Sequence, residues 1–326
     1  MAQFLLTPIP ATVPGGVDYD GGANSIRISN FSPTDDGHNY WAGYFNDDWK
    51  LTTKLTVNLG LRWEHFGGIE ENHGRQGNFV PGIPGSTAEM LYPNNGKNQQ
   101  IPINPAFPAL LAKDGIALKY INNPALVNVQ NDNFGPRAGI AYQITPKLVV
   151  RSGFGMFYNS FENEGYGPNI GENYPFQFNL SPPLPNGSLP MALNNADGSS
   201  CSPAATLEST FSCISLIPSK VNVSGIGPQG LQHNWITPYT MSWNFTTEYE
   251  VSPSMTLTVA YVGTGARHLA TGGISNSYTA FQLNPQGINC GVGGPIPFPG
   301  LGCNNSMQDT QGNSNYNGLQ TSLEKR

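Results

Sequence analysis

The chain has 326 residues and a formal net charge of −6, with its few Lys and Arg scattered, so it offers no basic patch to a phosphate backbone and no nucleic-acid partner is expected. Charged residues make up only 11%, and Gly and Pro together about a fifth. In a chain also rich in Asn, Ser and Thr, that mixture disfavours long helices and favours strands with polar loops. No run approaches the ~20 apolar residues of a membrane-spanning helix, and the opening "MAQFLLTPIPATVPGG" lacks the basic n-region of a signal peptide.

Residues 1–39 read as a loop preceding the first strand. Within it, "DYDGGANS" from Asp18 sets oxygen-bearing side chains around glycine as a calcium loop does, but without the closing bidentate Glu. It is expected to be ordinary polar loop. The stretch "YFNDDWKLTTKLTVNLGLRWEHF" then forms a hairpin over 40–66. Leu55, Val57, Leu59, Leu61 and Trp63 fall on alternate positions, with Thr56, Asn58, Gly60, Arg62 and Glu64 between them. This is a strand with one apolar and one polar face.

After the connection 67–133, "NFGPRAGIAYQITPKLVVRSGFGMFYN" repeats the pattern as a hairpin over 134–159. Leu148, Val150, Phe154, Met156 and Tyr158 share one face, and Arg151, Gly153 and Gly155 the other. After 160–237, "TPYTMSWNFTTEYEVSPSMTLTVAYVG" gives a third hairpin over 238–263, where Tyr239, Met241, Trp243, Phe245 and Tyr249 oppose Thr240, Ser242, Asn244 and Glu248. A final strand, 315–326, follows the connection 264–314. "DTQGNSN" from Asp309 is a second faint calcium-like loop, again without its Glu.

Four cysteines lie in the polar connections. Cys201 and Cys213 stand in one, Cys290 and Cys303 in the next. Neither pair has C-x-x-C spacing and no His is near in sequence, so two local disulfides are expected in place of a metal or redox site. Each would contribute roughly 3 kcal/mol and implies an oxidising compartment. Catalytic signatures are missing: the five His are isolated, and H-E-x-x-H, G-x-S-x-G and a phosphate-binding Gly loop do not occur. Neither an enzyme nor a cofactor is expected.

Connections this long count against a compact domain if they are structureless, yet here they recur in position: every short turn is followed by a long loop. Strands of roughly ten residues, short turns on one side, long loops on the other and an apolar band flanked by aromatics are the pattern of a transmembrane β-barrel wall. The expectation is an all-β fold: an antiparallel barrel wall of about seven strands with long extracellular loops, in the cell outer membrane and in contact with its lipid. Trp49, Trp63, Tyr158, Trp243 and Tyr249 would anchor at the lipid interface. Candidates for the lumen face are Asn46, Asp48, Asn58, Arg62, Glu64, Arg137, Arg151, Asn244 and Glu248. A surface adhesion or structural β-protein, binding partners through its loops, is the alternative.

The segments "GYFNDDWKLTTKLTVNLGLRWE", "NFGPRAGIAYQITPKLVVRSGFGMFYN", "TPYTMSWNFTTEYEVSPSMTLTVAYVG" and "NYNGLQTSLEKR" resemble, in order and spacing, the barrel of TonB-dependent outer-membrane receptors of the Oar-like type. The early "QFLLTPIP" resembles a segment such receptors carry one loop earlier. The resemblance implies a 22-stranded barrel of which residues 40–326 are a part, closed by a plug domain and driven through TonB, moving a bulky, unidentified ligand. A plug, a TonB box and the terminal aromatic of such proteins are not found here, so the chain reads as an internal piece of a larger receptor. The plug and the TonB system would be partners only through that full-length parent.

Overall fold

The computed structural model describes residues 28–30, 34–82, 87–94, 102–159, 170–177, 179–180, 217–221, 223, 226–274, 298, 300–301 and 306–325. All four cysteines, "QFLLTPIP" and "DYDGGANS" lie outside them, and the disulfide expectation with them. In chain order the strands are β1 (Ile28–Ser29), β2 (Asp36–Gly37), β3 (Tyr40–Lys50), β4 (Leu55–Phe66), β5 (Glu70–Glu71), β6 (Asn78–Val80), β7 (Ala88–Pro93) and β8 (Ile116–Ile121). They continue as β9 (Asn133–Thr145), β10 (Leu148–Tyr158), β11 (Asn179–Leu180), β12 (Gln229–Leu231), β13 (Tyr239–Ser252), β14 (Met255–Ile274) and β15 (Ser306–Lys325). An α-helix, α1 (Ala106–Lys113), precedes β8.

Period-2 alternation makes the long strands, and they assemble in one sheet in the order β12-β15-β14-β13-β10-β9-β4-β3. All neighbours from β15 to β3 are antiparallel. The short β12 adds itself in parallel to the start of β15, so the sheet has one strand more than the alternation suggests, and that strand departs from the antiparallel rule. At its other edge, β3 pairs with β4 alone among the described residues.

Two strands run further than expected. β14 continues past 263 to Ile274 and β15 starts at Ser306, well before 315. They pair along their whole length through register shifts at Ala266/Leu269 and Leu269/Thr271. At roughly 3.3 Å per residue each covers about 65 Å, about twice what a tilted strand needs to cross a wall of roughly 25 Å. The "DTQGNSN" segment is therefore strand, not loop: Asp309 is buried and its Oδ1 accepts a hydrogen bond from the Thr271 hydroxyl.

The long connections are not structureless either. Their described parts fold together into a cap. β6, β7 and β8 form a three-stranded sheet, on which α1 buries Phe107 and Leu111. The helix stops at Gly115, whose φ of +72° is the left-handed turn that ends helices cheaply only at glycine. One apolar core joins Phe79, Met90, Tyr92 and Ile116 of the first connection to Tyr174, Phe176, Val221 and Ile226 of the second and Phe298 and Leu301 of the third. A second core packs Leu91, Leu126 and Val127 against Ile170, Leu231 and Trp235.

Candidate functional site

Opposed residues in an antiparallel ladder point to the same side of the sheet, so register sorts the faces. Trp49 opposes Val57, which opposes Ile140, which opposes Ser152, then Phe245, then Tyr261, then Leu319. The parallel row Trp63, Phe134 is continued by Tyr158 and Tyr239. These rows make an apolar face rich in aromatics. Trp243 lies flat over Gly263, where an added Cβ would come within 2.3 Å of its ring, the shielding of a strand glycine by a cross-strand aromatic.

The nine polar candidates all fall on the opposite face. Asp48, Asn58, Gly139, Gly153 and Asn244 form one row, and Asn46, Gly60, Arg137, Gly155 and Ser242 the next. Tyr40 and Tyr44 accompany Arg62 and Glu64 on the polar face.

Local contacts tie this face together in three places. Arg62 Nε sits 3.0 Å from Glu64 Oε1, its Nη2 donates to the Tyr40 hydroxyl at 2.7 Å, and that hydroxyl donates to Glu64 at 2.6 Å. Asn58 Nδ2 donates to Asp48 Oδ1. Arg151 Nη1 donates to Glu248 at 2.8 Å, a pair mostly open to solvent and worth at most about 1 kcal/mol. Arg137 stands apart: its guanidinium lies over the Phe157 ring at 4.8 Å, and the described residues form no ion pair with it. Tyr44, Asn46, Gly60, Arg62 and Arg137 border an open hollow of about 230 Å³ on this face.

Above the sheet, buried and half-buried amides latch the three connections to one another. Asn78 donates to the carbonyls of Leu126 and Leu231 at 3.2 and 3.0 Å and accepts from Leu231 N–H at 2.7 Å. Asn173 donates to the carbonyls of Gly77 and Gln229 and accepts from Gln229 N–H at 2.6 Å. Gln232 accepts from both the N–H and the hydroxyl of Thr310 at 2.9 Å. Tyr92 donates to the Tyr174 carbonyl, and burial pushes its phenol well above the ordinary value, with Tyr120 and Tyr174 adding to the effect.

Sequence reading missed these latches and the Tyr40, Tyr44 and Phe157 rings on the polar face. For Tyr40 a signal existed, since Arg62 and Glu64 two apart on one face need a partner across the hairpin. Among the described residues no group of three or more His, Cys, Asp or Glu is arranged to hold a metal. No helix among them is long and apolar enough to cross a membrane, which leaves a β-barrel untouched as an architecture.

The family model for an outer membrane beta barrel domain matches residues 17–326. No curated protein matches the chain. Among solved structures it is similar to the siderophore receptor PirA from Pseudomonas aeruginosa, at 9% identity and a TM-score of 0.36, over 87% of this chain and 30% of that one. It is also similar to two mutants of the ferric enterobactin receptor PfeA from the same organism, at 10 and 11% identity and TM-scores of 0.36 and 0.35, over 87% of this chain and 24% of each of theirs. The chain thus spans 24 to 30% of the length of these receptors.

Proposed function

Because this chain belongs to the outer membrane beta barrel domain family and resides in the cell outer membrane, we propose that it forms part of the wall of a transport barrel that moves a bulky ligand across that membrane. The apolar face meets lipid, the polar face lines the lumen, and the cap stands on the outer side. The observation that carries this reading is the register, which runs through seven long strands and keeps nine polar candidates on one face. In lipid, both open edges of the sheet need hydrogen-bonding neighbours, so the wall is completed by further strands. The resemblance of four segments to Oar-like TonB-dependent receptors supports a parent in which a plug domain fills the barrel and TonB drives passage.

Spin labels at neighbouring positions test the reading. With the completed barrel that contains this chain in lipid bilayers, a label at position 59 is expected to be relaxed by oxygen dissolved in the acyl chains, and one at 58 by a water-soluble nickel chelate. If both answer to the chelate alone, the apolar face does not meet lipid and the surface-adhesion reading replaces this one.

A further inference from the structure

Arg137 is a cation on the polar face whose charge the described part of the sheet leaves uncompensated. Arg62 is neutralised by Glu64 and Arg151 by Glu248, whereas Arg137 rests only on the Phe157 ring. That contact holds one face of the guanidinium and leaves its N–H edges unused, and those edges match a carboxylate bidentately. The flanking glycines let neighbouring side chains lie close to the sheet: a Cβ at Gly60 would come within 2.6 Å of Asn46 Oδ1, and one at Gly155 within 2.8 Å of the Phe157 ring on which Arg137 rests. The hollow beside Arg137, about 230 Å³, is below the roughly 300 Å³ at which drug-sized ligands are held. Its far side is Tyr44, 78% exposed, an aromatic surface beside a cation.

We propose that this hollow is a binding site for small aromatic carboxylates, the carboxylate paired with Arg137 and the ring stacked on Tyr44. The inference rests on the polar face being the lumen, where the site would hold an anionic, planar part of a passing ligand. Arg62 borders the same hollow, its guanidinium held in place by Glu64 and Tyr40.

Benzoate is the probe, added to the chain purified in detergent from the outer membrane, with binding followed by calorimetry. Arg137→Gln is expected to weaken benzoate at least tenfold, and Arg151→Gln to leave it unchanged. Tyr44→Leu is expected to weaken benzoate several-fold but not acetate. Should Arg137→Gln fail to fold, Arg137→Lys keeps the charge without the paired N–H geometry and is expected to bind benzoate several-fold more weakly than wild type. No benzoate binding by the wild type, or equal binding by the Arg137 variant, overturns the proposal. Transport is read separately: benzoate binding in a chain whose labels at 58 and 59 both face water removes the barrel reading and leaves the site.

Discussion

Asn78 shows how much one polar side chain can hold. It is fully buried, and its amide completes hydrogen bonds that strand neighbours would otherwise make, reaching residues 48 and 153 positions away. Asn78→Leu keeps the bulk but strands two carbonyls and the Leu231 N–H, and each buried unpaired group costs 1–3 kcal/mol. The expected loss is about 3 kcal/mol, read as a lower denaturant midpoint in the fluorescence of Trp235, which packs in the same core. Tyr92 gives the cap a pH limit. Its phenol is held neutral by burial, so its contribution is whole below the ordinary tyrosine value of about 10. As pH climbs from there toward the raised value, the unfolded chain ionises first and stability falls. Unfolding in alkali, followed by phenolate absorbance, is expected to be delayed to a higher pH in Tyr92→Phe.

At the scale of elements, the two faces of β4 answer one substitution differently. Leu59→Arg sets a charge on the apolar face near the middle of the wall and is expected to cost about 2–4 kcal/mol of folding into vesicles. Asn58→Arg, one residue away and opposite Asp48, is expected to cost close to nothing. The hairpins were legible in the sequence because period-2 alternation needs only neighbouring positions to be read. The upper halves of β14 and β15 were not: "TGARHLATGGI" breaks its alternation at a bulge where His268 adopts a φ of +54°, and "SMQDTQGNS" has Met307 as its one apolar side chain. Nor was the cap, whose strands of three to six residues carry little periodicity and owe their pairing to contacts between distant connections. The polar-face residues were readable by parity alone, whereas the contrast between paired Arg62 and unpaired Arg137 depends on geometry across strands.

For the whole molecule, the wall and the cap differ in how they are stabilised. The wall has ladders on each long strand but an open edge at β3, where Trp41, Tyr44 and Phe45 are well exposed, an arrangement that invites pairing or aggregation in water. The cap has closed apolar cores shared by three connections, so it is expected to open as a unit. Native-state hydrogen exchange tests this: Asn78→Leu is expected to lower protection at Met90, Tyr174 and Leu301 by similar amounts while leaving β9 and β10 unchanged. Loss confined to the first connection would mean that the connections fold independently.

The latching of the cap also bears on how such a surface can diversify. Where each connection folds by itself, one can be exchanged for a relative's and bring its specificity with it. Here Phe298 meets Phe79 edge-on and Asn173 completes the backbone of Gly77 and Gln229, so a graft of one connection delivers half an interface. New specificity must arrive through matched changes in all three, or through substitutions on the outer skin that leave the latches alone.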